Sequence, residues 1–168
     1  MSEQKLLETI IRSKNPVDTA AISYAGAQLM ESDLSNAGLE GANLSNANLK
    51  SADLRNANLR NANLEGADLS GAYLKKADLS GADLTDAIIT GTYFNEANLL
   101  GAIGLKIENL QLTKSLYEAG LDSTLRFTIE QCCPEKFKDP KWQWNSNEWS
   151  RGVEFDTKAK LPKNEEMK

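Results

Sequence analysis

A chain of 168 residues, 40% hydrophobic and 26% charged, is long enough for one compact core or a short repeat array, and it is neither a charge-rich disordered polymer nor a membrane protein. Its net charge of −5, from 19 basic and 24 acidic residues, argues against direct nucleic-acid binding through phosphates. The absence of histidine removes Ser/His and Cys/His triads, histidine general bases and every histidine-dependent metal site.

The first segment, MSEQKLLETIIRSK, is charged throughout and has no apolar run of signal-peptide or membrane-span length, so a reducing cytoplasmic setting is expected. Leu6, Leu7, Ile10 and Ile11 recur at helical spacing, and Asn15-Pro16 ends the run. This predicts a capping helix within residues 1–21. Ile22 and Tyr24 then open an irregular first pentad.

From Ala27 to Ala102 a small residue returns every five positions, and 14 of these 16 are Ala, with Ser32 and Thr92 the exceptions. Two residues after each small one from Ala27 to Ala97 stands a large apolar side chain, from Leu29 through Leu84 and then Ile89, Phe94 and Leu99. A period of five suits neither common element. On an α-helix successive Leu would step about 140° around the axis, and on a straight strand they would alternate faces. The pattern works if the chain turns a corner once per pentad, aiming every Leu and Ala at a shared axis. The corner position is Gly or Asn at 11 of 16 places between Gly26 and Gly101, residues that tolerate turn dihedrals. Asn or Asp usually precedes the large residue, as at Asp33, Asn43, Asp53, Asn63 and Asp83, where a short side chain can bond the turn backbone.

This beat, A-(D/N)-L-x-x over residues 22–104, resembles the pentapeptide-repeat family. The resemblance implies an all-β solenoid: a right-handed quadrilateral β-helix with four pentads per coil, here about four coils, capped by an N-terminal and a C-terminal α-helix. Periodicity alone would also accept three corners per coil; the four sides and the hand come from the resemblance. At about 4.8 Å per coil the rod is on the order of 20 Å long.

With four pentads per coil, residues 20 apart stack on one face. The face over Leu34, Leu54, Leu74 and Phe94 then places Tyr73 against Tyr93, with Arg55, Lys75 and Lys76 beside them. Such a pair is either a stabilised coil edge or a surface for a protein partner. Some members of the family protect DNA gyrase by imitating the charge and shape of duplex DNA. Residues 25–104 carry 10 acidic and 5 basic residues, but no face holds a dense strip of one sign, so charge mimicry is weak. The Asp residues before the Leu positions are spread over all faces and mark no calcium site or acid–base pair. No metal, cofactor or catalytic residue is expected.

Gly104 breaks the beat. Leu110, Lys114 and Tyr117 predict a helix from Ile107 to Ala119, within a capping region of residues 105–133. Leu125, Phe127 and Ile129 alternate with polar residues, reading as a short strand or as a helix continuing to Cys133. Cys132 and Cys133, the only cysteines, read as ordinary buried thiols. Residues 134–168 form a charged tail, with 8 basic and 7 acidic residues, that also holds Trp142, Trp144 and Trp149; the rings either fold back on the rod or engage a protein. The expected function is a non-enzymatic scaffold presenting a rigid surface to a protein partner, with a gyrase-directed inhibitor or protector as the alternative. No nucleic acid or membrane is expected as a partner, and the resemblance admits a homodimer through a solenoid end.

Overall fold

The computed structural model describes residues 23–139. The expected N-terminal helix and the three Trp lie outside the described residues.

Each pentad forms one side and one corner. The side places its Leu inward, and the carbonyl of that Leu accepts the amide of the residue three further on, as from Ala57 to Leu54 at 3.1 Å and from Ala77 to Leu74 at 3.0 Å. Every corner residue from Gly26 to Gly101 has a positive φ, the third-position geometry of a type II turn. Seven of these corners are glycine, yet Glu31, Ser51, Lys76, Asp86 and Glu96 adopt the same conformation with φ between 53° and 61°. The Asn or Asp before the Leu steadies the corner, its Oδ1 accepting the amide two residues on. Ser35 donates to Asp33 at 3.1 Å, Ser45 to Asn43 at 3.1 Å and Glu65 to Asn63 at 2.9 Å.

Parallel bridges join each pre-Leu position to its counterpart twenty residues later: Ser23 to Asn43, Asn43 to Asn63, Asn63 to Asp83, with the same step on the other sides. Twenty residues are four pentads, so the coil has four sides and the three-sided alternative falls. Each side contributes single bridges instead of an extended strand, because the chain turns again after a few residues. Between coils, Leu54 donates to the Tyr73 carbonyl at 2.8 Å and Tyr73 donates to the Ala52 carbonyl at 2.9 Å, a pattern repeated around the axis.

The core is the column the period implies. Every large in-phase residue from Leu29 to Leu99 is buried, and so is every small one from Ser32 to Ala97. Ala27 and Ala102, at the ends of the array, are partly buried. The Thr92 hydroxyl, in an Ala position, donates to the Leu69 carbonyl at 2.8 Å, so its polarity is satisfied inside the column.

Beyond Ala102 the structure differs from the sequence reading. Gly104, at the position due for a large residue, has φ +80°, and a Cβ there would lie 2.3 Å from the Thr85 nitrogen. Only glycine fits where the chain presses on the coil below. Two extra residues are then taken up around a single helical turn, α1 (Ile107–Leu110), and the ladder resumes with a step of 22: Tyr93 bridges Ser115 and Asn98 bridges Gly120. The helix expected from Ile107 to Ala119 therefore stops at Leu110, and Leu110, Leu116 and Leu121 continue the buried column.

The alternating stretch is a helix, α2 (Ser123–Cys132). Leu125 and Ile129, four apart, pack toward the core, while Phe127 on the opposite side is 65% exposed. Arg126 secures the helix: it donates to Glu130 at 2.8 Å and to the Ala119 carbonyl at 3.3 Å, with its guanidinium 5.1 Å from the Phe137 ring centre. A 3-10 turn, Pro134–Phe137, follows, and the Lys136 carbonyl accepts the Leu116 amide at 2.7 Å.

Candidate partner-binding face

The side over Leu34, Leu54, Leu74 and Phe94 is a ladder of outward residues in which Asp33 bridges Asp53, Asp53 bridges Tyr73, and Tyr73 bridges Tyr93. The coil spacing sets the two rings 5.0 Å apart between centres at 12° between planes, a stacked pair. The facing sides of the two rings cover one another, and both residues are half-buried.

The three cations named from the sequence do lie on this side, and each is held by a carboxylate. Arg55 is a two-pronged partner of Asp53, with Nε 2.8 Å from Oδ1 and Nη2 on Oδ2. This hydrogen bond pushes the guanidinium pKa further up from its ordinary value, outweighing the lowering effect of burial. Lys75 and Lys76 reach the two oxygens of Glu96 at 3.2 and 3.4 Å. The stacked rings are thus bordered by pinned charges.

Sequence reasoning missed one member of this face. The shifted step places Tyr117 on the same side: Glu96 donates to the Tyr117 carbonyl at 2.7 Å, as Lys76 does to Asn95 one coil below at 3.0 Å. The Ser115 hydroxyl accepts the Tyr117 amide at 3.1 Å, in the role Asp and Asn play elsewhere. The signal was present, since Ala119-Gly120-Leu121 repeats the small-x-large beat displaced by two.

Elsewhere on the coil the bases are also paired: Lys50 with Asp68 at 3.1 Å, and Arg60 with Asp78 at 3.4 Å and Glu40 at 4.0 Å. All five basic residues of the array are therefore held by carboxylates. Partial burial pushes Asp68 up, but the Ser70 hydroxyl and amide, with Lys50, pull it below the ordinary carboxylate range. Among the described residues no three His, Cys, Asp or Glu side chains gather where a metal could be held, and no helix is long and apolar enough to cross a membrane.

A model of pentapeptide repeats matches residues 27–66 and 62–101 with eight copies, the stretch that forms the four-sided coils. The chain belongs to the pentapeptide-repeat family. Membership carries the right-handed sense of the family's β-helix. Solved pentapeptide-repeat structures similar to this chain include Rfr23 from the cyanobacterium Cyanothece 51142, at 38% identity over 60% of each chain with a TM-score of 0.45. A protein of the Arabidopsis thaliana thylakoid lumen is 28% identical over 56% of this chain and 74% of its own, with a TM-score of 0.36. QnrB1, a plasmid-mediated fluoroquinolone resistance protein, is 23% identical over 56% of this chain and 43% of its own, with a TM-score of 0.45. The matched part of this pentapeptide-repeat chain thus spans 60% of the length of Rfr23 and less than half that of QnrB1. No curated protein matches the chain.

Proposed function

We propose that this pentapeptide-repeat protein is a non-enzymatic scaffold of the cytoplasm whose tyrosine side is a rigid docking face for a protein partner. The stacked Tyr73 and Tyr93, bordered by Arg55, Lys75 and Lys76 in fixed ion pairs, carry this reading. Aromatic and arginine side chains already held in place lose little entropy on docking, and such residues dominate protein–protein hot spots. Tyr117 extends the face by one coil. Trp142, Trp144 and Trp149 are proposed as a second contact on compositional grounds.

The test is affinity capture with the wild-type chain, with Tyr73→Ala/Tyr93→Ala and with Trp142→Ala/Trp144→Ala, quantifying the proteins retained. Loss of one set of partners in the tyrosine variant, with the coil still folded, is the expected result. Identical partners for all three proteins would remove both surfaces.

The second reading, a gyrase-directed inhibitor or protector, draws support from the excess of 10 acidic over 5 basic residues in positions 25–104. The pairing of all five bases with those acids divides the negative surface and weighs against it. A supercoiling assay with purified gyrase separates the two: the scaffold reading expects neither inhibition nor drug protection at micromolar protein.

A further inference from the structure

Cys132 and Cys133 occupy a different place from the buried thiols expected of them. Cys132 is the last residue of α2 and is exposed. Cys133 leaves the helix with φ −144° and ψ 58°, although its amide still bonds the Ile129 carbonyl at 2.8 Å. Its side chain is partly buried against the core that α2 covers. Both are free thiols. Gln111, just beyond α1, donates from Nε2 to the Cys132 sulfur at 3.4 Å, a contact that anchors the sulfur beside the last coil.

Two thiols on adjacent residues have an unusual chemistry. Their Cα atoms are about 3.8 Å apart across a trans peptide, below the roughly 4.4 Å lower bound of relaxed disulfides. A direct S–S bond between them is therefore strained. A larger soft atom bridging both sulfurs relieves that strain. Among the described residues no third or fourth thiolate, carboxylate or imidazole joins them, so the tetrahedral demand of zinc is unmet. The pair suits a centre that binds two sulfurs side by side and completes its shell with oxygen or carbon. Trivalent arsenic, soft and pyramidal, has these requirements.

We propose that Cys132 and Cys133 form a two-sulfur capture site for trivalent arsenic species. With an organic arsenous oxide, two S–H and one As–O double bond are exchanged for two As–S bonds and a water molecule; with arsenite, two As–OH groups leave as two waters. No electron is transferred and no oxidant is required. The hydrogen bond with Cys132, followed by desolvation, pushes the Cys133 thiol up, so at neutral pH Cys133 supplies its proton to the departing oxygen. The site is independent of the tyrosine face.

Phenylarsine oxide added to the full chain, read by intact mass and by titration of the remaining thiols, tests this. The expected result is one equivalent bound, both thiols consumed, and an adduct that withstands excess monothiol but is released by a dithiol. Arsenite should compete for the same two sulfurs. Cys132→Ser and Cys133→Ser should each weaken capture by about a hundredfold or more, because the second sulfur binds intramolecularly. Alkylating only the exposed Cys132 in the wild-type chain should have the same effect without any substitution in the core-facing Cys133. Two equivalents stripped by monothiol, or capture that survives loss of Cys132, would overturn the proposal.

Discussion

Single residues carry the geometry at the corners. A left-handed backbone costs a non-glycine residue about 1–2 kcal/mol, and Ser51 bears this at φ 53° with no ion pair to offset it. Ser51→Gly should therefore stabilise the protein by up to about 1 kcal/mol, after the loss to unfolded-state entropy, measured by denaturant midpoint. Gly104 is the opposite case. Its φ is +80° and a Cβ would meet the Thr85 backbone at 2.3 Å, so Gly104→Ala should cost about 3 kcal/mol or more. A neutral Gly104→Ala would mean that the chain does not press on the coil there. Asp68 provides a pH handle. Its carboxylate is held below the ordinary range, so its contribution is present above the unfolded value of about 3.9 and is lost as pH falls through the lower folded value. Asp68→Asn keeps the corner bond that Asn48 makes one coil below at 3.3 Å, and it should flatten the acid limb of a melting-temperature profile. An unchanged limb would assign acid sensitivity to other groups.

At the scale of the element, each side is stable only as part of a stack. Leu74 is fully buried among neighbours from the coils above and below, and Leu74→Ala should cost about 2–5 kcal/mol in denaturant unfolding. A loss under 1 kcal/mol would mean that the column is loosely packed. This part of the fold was legible because the repeat is dense: Ala, Leu, Asn/Asp and Gly/Asn each mark a distinct slot of the same corner. Legibility ended at Gly104. The two inserted residues moved Leu116 and Leu121 out of the five-residue phase, and the spacing of Leu110, Lys114 and Tyr117 imitated a helix. In α2 the alternation of Leu125, Phe127 and Ile129 imitated a strand. Only Leu125 and Ile129 face the core, and a four-residue separation is the helical one. Tyr117 was overlooked as a face residue for the same reason, whereas the Tyr73–Tyr93 contact followed directly from the twenty-residue step.

For the whole molecule, the coil converts sequence distance into a surface. Residues twenty apart share one side and residues five apart lie on neighbouring sides, so a binding face is written at long intervals along the chain. The rigidity of such a face comes from backbone bonds between coils, which leave few ways for Tyr73 and Tyr93 to move apart. The family's shape constrains this architecture far more than it constrains activity; the docking role proposed above rests on the side chains presented at those intervals.

The twenty-residue register itself is tested most directly by disulfide trapping in a chain whose Cys132 and Cys133 are replaced by Ser. Asn63 and Asp83 are bridged on adjacent coils, at a separation of about 4.8 Å that lies within disulfide reach. Oxidation of Asn63→Cys/Asp83→Cys should give a rapid intramolecular cross-link, while Asn63→Cys/Asp78→Cys, whose positions lie on different sides, should remain reduced. A cross-link at fifteen residues and none at twenty would contradict the four-sided coil and the faces built on it.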